Sequence, residues 1–177
     1  WDERMAPSSL HGVTTVVMGN CGVGFAPVRP EDRDRLIELM EGVEDIPGII
    51  LRQGLKWNWE SFGEYLDFIG ARRFDIDVAA QLPHAPLRVF VMGERACRLE
   101  DATERDVAEM RRLTAEAMRA GAVGFSTSRS LNHRSANGDP TPSLKASEAE
   151  LLGIARGIVD GGGGVFEFAH EFAEPTR

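Results

Sequence analysis

This sequence of 177 residues has little of what marks several large classes of protein. Its two cysteines, Cys21 and Cys97, lie far apart and form no CxxC pair, which argues against a disulfide scaffold and favours a reducing compartment. No apolar run approaches the roughly 18 residues of a membrane-spanning helix. No segment is dense in Lys or Arg, and the formal net charge of −8 argues against nucleic acid or an anionic membrane surface as partner. We therefore expect a cytoplasmic protein.

Phosphate-binding loops are absent as well. The glycines from Gly19 to Gly24 follow the pattern GxxGxG, which is neither the dinucleotide fingerprint nor a P-loop, and no GK[ST] occurs in the sequence. A second glycine run, at residues 161–164, comes directly before a predicted strand and is interpreted as the end of a helix. Neither run predicts a nucleotide site.

The sequence does contain an uncharged run that ends at a thiol. Residues 13–18 read Val-Thr-Thr-Val-Val-Met, which predicts a strand buried on both faces, because a half-exposed strand would alternate between apolar and polar residues. Gly19 and Gly22 flank Asn20 and Cys21 and let the backbone turn sharply and approach a ligand closely. A reactive side chain at the end of a buried strand is typical of α/β proteins.

The rest of the chain alternates between predicted helices and strands. Further strands are expected at residues 74–82, 122–129 and 165–170. Helices are expected at residues 29–45, 58–72, 103–120 and 147–159. Capping boxes are expected to join Thr103 with Asp106 and Ser147 with Glu150, whereas residues 46–52 indicate a short strand or an irregular crossing. Helices of this length between strands indicate a parallel sheet and an α/β fold.

Four predicted strands end at residues that can carry chemistry, namely Cys21, His84, residues 126–129 and His170. In parallel α/β folds these ends lie on one rim, so residues that are distant in sequence converge there. A thiolate and two imidazoles could bind zinc and leave one position open for a water, whose pKa the metal would lower towards ~7. Such a water is suited to amide hydrolysis near neutral pH.

Each of these residues also has a simpler interpretation. Cysteine is among the most buried residue types, and a single histidine at a strand end is more often a hydrogen-bonded structural residue than a ligand. Alternatively, Cys21 and His84 could form a nucleophilic pair, since a covalent acyl-enzyme requires the same residue types. Cys97 lies in a polar stretch and is interpreted as an incidental thiol.

Four segments of the sequence carry a resemblance to a known family. They are Ser-Ser-Leu-His-Gly-Val-Thr-Thr-Val-Val-Met-Gly-Asn-Cys-Gly-Val-Gly-Phe-Ala-Pro at 8–27, Trp-Asn-Trp-Glu-Ser-Phe-Gly-Glu-Tyr-Leu at 57–66, Pro-His-Ala-Pro-Leu-Arg at 83–88 with Val-Met-Gly-Glu-Arg at 91–95, and residues 117–129 with Gly-Ala-Val-Gly-Phe-Ser-Thr-Ser. Together these segments closely resemble the D-aminoacylases, the N-acyl-D-amino-acid deacylases of the amidohydrolase superfamily. The resemblance covers nearly the whole chain.

The resemblance implies a (β/α)8 TIM barrel with a small β-sandwich and a small-molecule N-acyl amino acid as substrate. Residues 1–177 would form a single fragment of the catalytic barrel, about strands two to five, with no separate second domain. The implied zinc centre takes its ligands from an HxH motif on the first strand, histidines on the fifth and sixth strands and an Asp on the eighth. In the D-aminoacylase branch a cysteine on the second strand replaces the carboxylated lysine used elsewhere in the superfamily, and Cys21 matches that cysteine.

The resemblance also assigns roles to three other residues. His170 stands for the fifth-strand metal ligand, although it lies one place late, in a Phe-Ala-His context where the family has Thr-His-Met-Arg, so a bulge would have to restore its register. His84 matches a third-strand histidine of the pocket or of the shell around it. Arg88 could pair with a substrate carboxylate or form a salt bridge under the barrel rim. His84 and Arg88 are therefore predicted to bind substrate.

The sequence lacks an HxH motif, a sixth-strand histidine and an eighth-strand Asp that would act as general base, so no catalytic residue is predicted. We expect one part of a metal-dependent amidohydrolase that is inactive on its own. Exposed sheet edges are expected where strands one and six would pair, and with them possible homo-oligomers. The alternative is a degenerate or truncated α/β domain with a binding or structural role.

Overall fold

The computed structural model describes residues 2–170. Its strands and helices are, in chain order, β1 (Thr15–Met18), α1 (Arg33–Glu44), α2 (Gly48–Gly54), α3 (Phe62–Gly70), β2 (Asp77–Pro83), α4 (His84–Met92), α5 (Glu94–Cys97), α6 (Glu104–Ala120), β3 (Gly124–Ser128), α7 (Glu148–Asp160) and β4 (Val165–Ala169). The four strands form one parallel sheet in the order β1-β2-β3-β4. The predicted α/β fold is confirmed, and each strand lies beside the next strand of the chain.

The two faces of the sheet differ in what covers them. Because successive side chains of a strand point to opposite faces, Leu82 and Phe125 lie on one face, where they pack with Met110 of α6 and Ile154 of α7 in the main core. The opposite face, here called the inner face, carries the side chains of Gln81, Ser126 and Glu167. Helices therefore cover the outer face, and the inner face is left to present polar groups.

β1 is less buried than its composition predicted. Thr15 and Val17 are exposed and Val16 and Met18 are half-buried, so the prediction of a strand buried on both faces is wrong. The physical reason is position, because β1 pairs with β2 alone among the described strands and lies at the edge of the sheet. The uncharged, β-branched run therefore predicted the strand correctly but not its burial.

Several helix boundaries also differ from the sequence-based expectations. Residues 46–52 lie mainly in helix α2, not in a strand or an irregular crossing. Helix α3 begins after Ser61, which forms a full capping box with Glu64, and not at residue 58. The capping box of Thr103 with Asp106 at the start of α6 is confirmed. No helix within residues 2–170 has the length and apolar content to cross a bilayer.

Candidate metal centre

The loop after β1 places Cys21 by a backbone turn that glycine makes possible. Gly19 has a φ of +90°, and a Cβ at this position would lie 2.5 Å from the carbonyl oxygen of Gln81, so only glycine allows β1 to approach β2 this closely. Cys21 itself has a φ of +58°, in the left-handed region. A residue other than glycine in this conformation costs about 1–3 kcal/mol, which the surrounding contacts must offset. A strained backbone conformation at a residue other than glycine is often found at a functional site, so Cys21 is a candidate functional residue.

The side chain of Ser126 in β3 forms hydrogen bonds with the backbone of this turn. Its Oγ atom accepts a hydrogen bond from the backbone N–H of Gly22 at 3.0 Å and donates one to the carbonyl oxygen of Gly19. Ser126 is fully buried on the inner face. One hydroxyl therefore fixes both ends of the segment that contains Cys21.

Glu167 of β4 lies beside Cys21 on the same face. Its Oε1 atom accepts a hydrogen bond from the backbone N–H of Cys21 at 3.3 Å. Its Oε2 atom accepts one at 2.5 Å from Nε2 of Gln81, which also donates to Oδ1 of Asn20 at 3.0 Å. Sequence reasoning overlooked Glu167, although a single charged residue inside the apolar strand Val-Phe-Glu-Phe-Ala was a signal that could have found it.

The electrostatic surroundings of Cys21 are negative. Burial raises the pKa of the Cys21 thiol, and the nearby carboxylates of Glu167 and Glu44 raise it further. Without a cation the thiol therefore stays protonated at neutral pH, which does not favour a nucleophilic role because the thiolate is the reactive form. A bound metal ion would reverse this preference, since a coordinating thiol loses its proton.

His84 does not pair with Cys21, because both of its ring nitrogens are taken. Nδ1 lies 2.7 Å from Oγ1 of Thr127, and Nε2 lies 2.8 Å from Oε1 of Glu150. Since an ionised carboxylate only accepts, Nε2 carries the proton and Nδ1 accepts from the threonine hydroxyl. Burial first of all, and the positive charges of Arg88 and Arg129 as well, lower the pKa of His84 and keep it neutral.

Arg88 completes this buried network. Its Nε atom donates to Oε1 of Glu150 at 2.9 Å, and its terminal nitrogens donate to the carbonyl oxygens of Pro142 at 2.7 Å and Glu100 at 2.6 Å. Burial alone would raise the pKa of Glu150, but its contacts with His84 and Arg88 outweigh that effect and lower it. Arg88, His84 and Glu150 are all completely buried.

These contacts bear on the predicted substrate-binding role of His84 and Arg88. The Arg88–Glu150 pair realises one of the two alternatives for Arg88, a salt bridge under the rim. Both side chains form their hydrogen bonds with other groups of the protein. Substrate contact by either residue stays a prediction. Sequence reasoning assigned Glu150 to a capping box and so missed its place in the network.

His170 lies in a different environment from Cys21. Its ring is exposed and stacks on that of Phe168, with 5.7 Å between the ring centroids. Phe168 is adjacent to Glu167 in β4 and therefore points to the opposite face of the sheet. Metal ligation by His170 stays a prediction. Among residues 2–170, no three His, Cys, Asp or Glu side chains converge closely enough to hold a metal ion by themselves.

The sequence profile of the amidohydrolase family matches residues 1–174. The chain belongs to this family. D-aminoacylase of Alcaligenes xylosoxydans xylosoxydans is 30% identical over 159 residues, which are 90% of this amidohydrolase chain and 28% of that protein.

Two solved amidohydrolase structures have the same fold over this region. A crystal structure of D-aminoacylase superposes on 93% of the chain with a TM-score of 0.65 and 28% identity, and 30% of that protein is covered. N-acyl-D-glutamate deacylase from Bordetella bronchiseptica, in complex with zinc and a phosphonate that mimics the tetrahedral intermediate, superposes on 91% of the chain with a TM-score of 0.65 and 30% identity. That match covers 29% of the deacylase.

These comparisons confirm the predicted family and the predicted partial TIM barrel. The four parallel strands correspond to a curled part of the D-aminoacylase barrel. The chain spans less than a third of the length of the relatives named above. Because the chain covers only this part of the barrel, we expect it to contain only some of the metal ligands.

The donors on the inner face fit a metal ion. The backbone N–H of Cys21 and Nε2 of Gln81 both donate to the carboxylate of Glu167, so a thiol-bearing residue and a carboxylate lie side by side. Thiolates and carboxylates are ligand types that zinc and similar divalent ions accept. The negative surroundings of Cys21 favour a cation at this position. The chain can therefore supply one wall of a metal centre.

Proposed function

We propose that this chain forms part of the catalytic barrel of a metal-dependent amidohydrolase that hydrolyses the amide bond of N-acyl-D-amino acids. The observation that carries the proposal is the position of Cys21. Buried contacts to Gly19 and Gly22 hold it in a left-handed conformation at the end of β1. The names of the relatives, D-aminoacylase and N-acyl-D-glutamate deacylase, support the substrate class.

In this proposal each residue of the chain has a limited task. Zinc, when bound, lowers the pKa of a water to ~7 and polarises the substrate carbonyl. Cys21 is a ligand of the metal, and Ser126 positions the turn that carries it. The His84–Glu150–Arg88 network fixes the end of β2 against α7. We expect the general base and further ligands to lie outside this sequence, so the chain of residues 1–177 is inactive alone.

The test uses the full-length protein that contains this sequence, loaded with zinc and assayed with N-acetyl-D-amino acids and their L enantiomers. Since loss even of a residue that supports a metal ligand costs about 10–100-fold, we expect Cys21→Ser to lower kcat/KM by about 100-fold or more. Cys97→Ser is the matched control, because this half-buried thiol lies on α5, and we expect it to stay within about threefold of the parent.

Two results would contradict the proposal. One is wild-type activity in Cys21→Ser. The other is zinc-dependent release of an amino acid by the purified chain of residues 1–177, because the missing ligands would then be unnecessary. A full-length protein that hydrolyses no N-acyl amino acid would favour the degenerate α/β domain instead.

A further inference from the structure

Glu167 and Cys21 meet across the sheet although they are 146 positions apart in the chain. The contact is made on the inner face, where β3 and β4 pair Ser126 with Glu167. The Glu167 carboxylate touches the backbone of Cys21 with one oxygen and Gln81 with the other. Within residues 2–170, the hydrogen bonds to this carboxylate come from amide N–H groups and not from Lys or Arg.

Gln81 supplies an independent observation. Its Oε1 atom is buried and has no hydrogen-bond partner among the described residues. The whole side chain is only 5% exposed. Rotating the amide by half a turn would not help, because the oxygen would then face the acceptors on Asn20 and Glu167. A buried acceptor without a donor costs about 1–3 kcal/mol, so a group outside the described residues is expected to bind it.

The polar groups around the Gln81 side chain are mostly acceptors. They comprise the two carboxylate oxygens of Glu167, Oδ1 of Asn20 and Oε1 of Gln81, and Cys21 lies next to them, since it follows Asn20 and donates its N–H to Glu167. The amide group of Gln81 and the N–H of Cys21 are the donors that face them. An excess of acceptors with a net negative charge around a buried amide favours a cation, and the nearby Cys21 thiol selects a borderline-soft ion such as Zn²⁺ or Co²⁺.

We propose that Glu167 is the metal ligand that β4 contributes, acting with Cys21, while Oε1 of Gln81 faces the same ion. The inference deepens the proposed function and rests on it for the presence of a metal. It places the β4 ligand on the inner face at Glu167. His170 stacks on Phe168, which lies on the opposite face, so Glu167 and His170 are alternative candidates for this ligand.

The test is a titration of the metal-free full-length protein with Co²⁺, whose bond to a thiolate gives a charge-transfer absorption in the near ultraviolet. We expect Glu167→Gln to weaken Co²⁺ binding by about tenfold or more, as for the loss of a ligand or its close partner. Cys21→Ser should abolish the charge-transfer band. His170→Gln is the discriminating variant, because the family resemblance makes His170 the β4 ligand, and if Glu167 has that role instead, His170→Gln should bind Co²⁺ as the parent does.

A further variant separates ligand loss from misfolding. Glu167→His replaces one metal-binding group by another, so Co²⁺ affinity should recover to within about tenfold of the parent while the hydrogen bond to Gln81 changes. Circular dichroism of each variant reports whether the fold is retained. Recovery in Glu167→His together with loss in Glu167→Gln supports the proposal.

Three outcomes would overturn it. They are unchanged Co²⁺ affinity in Glu167→Gln, loss of affinity in His170→Gln, and a parent protein without a thiolate band. The result is separate from the proposed function, because Co²⁺ binding that depends on Glu167 would stand even if no N-acyl-D-amino acid were hydrolysed. Deacylase activity that survives in Glu167→Gln with unchanged metal affinity would sink the inference and leave the proposed function intact.

Discussion

At the scale of single residues, the conformation of Cys21 depends on a side chain that sequence reasoning had named only as part of a strand end. The fully buried hydroxyl of Ser126 satisfies two backbone groups of the Cys21 turn. Burial makes this contact more important, because a backbone N–H left without an acceptor inside a protein costs about 1–3 kcal/mol. Ser126 is therefore a positioning residue for the thiol.

We expect Ser126→Ala to lower the free energy of unfolding by about 1–3 kcal/mol, since the N–H of Gly22 loses its acceptor. We also expect Cys21 to react faster with a thiol reagent in a Cys97→Ser background, because the turn is no longer fixed. Ser128→Ala is the control, since its hydroxyl contacts His133 and Ser130. Equal thiol reactivity in both serine variants would contradict the role given to Ser126.

His84 predicts a pH dependence of stability. Burial lowers the pKa of His84, so between that lowered value and about 6.5 the unfolded chain binds more protons than the native chain. Stability therefore rises with pH through this window and falls as the pH drops below about 6.5. Urea unfolding at a series of pH values measures the slope. His84→Gln should flatten it and the exposed His11→Gln should not, and the same slope in all three proteins would refute the assignment.

At the scale of elements, the start of α7 illustrates what local sequence can and cannot predict. Ser147 accepts a hydrogen bond from the N–H of Glu150, as the capping pattern predicted. The carboxylate of Glu150 does not return to the cap, because it binds His84 and Arg88 in the core. The local sequence thus predicted the helix start correctly. The predicted hydrogen bond from the Ser147 backbone to the Glu150 side chain does not form, because that carboxylate is in a tertiary ion pair.

The same distinction holds for the other elements. Helix α6 and its capping box follow from spacing alone, because the hydrogen bonds of the Thr103 and Asp106 side chains within residues 2–170 join near neighbours in sequence and Arg95. Residues 46–52 were misassigned because a short apolar run fits a strand and a helix equally well. The contact between Glu167 and Cys21 depends on the register of four strands, which no local pattern in the sequence encodes.

We expect Glu150→Gln to lower the free energy of unfolding by about 3–5 kcal/mol, because Arg88 would keep a buried charge without its ionic partner. Glu148→Gln is the matched control, since it lies in the same first turn but is exposed, and its effect should stay within about 0.5 kcal/mol. Urea unfolding measures both. Equal effects of the two substitutions would show that the buried pair contributes nothing to stability.

At the scale of the whole molecule, the described sheet has two open edges, β1 and β4. Apolar side chains of β4 are exposed on both faces, with 61% of Val165 and 41% of Phe168 accessible. Exposed apolar edge strands pair readily with other chains. The inner face and these edges are where further barrel strands of an amidohydrolase would pack.

We therefore expect the chain of residues 1–177 to self-associate as its concentration rises, which sedimentation velocity measures. Val165→Lys should weaken the association, because a charge on an edge strand opposes pairing. Val159→Lys serves as the control, since it places the same charge on an even more exposed position of α7 away from the edge. A monodisperse monomer at every concentration would contradict the expectation.

The separation of 146 positions between Cys21 and Glu167 also has a consequence for synthesis. A ribosome adds about 5–20 residues per second, so the thiol leaves it about 7–30 seconds before the carboxylate that will lie beside it. Throughout that interval Cys21 is a free thiol on an unfinished sheet. If Glu167 is the β4 ligand, the pair of Cys21 and Glu167 is therefore complete for a metal ion only after β4 has been translated.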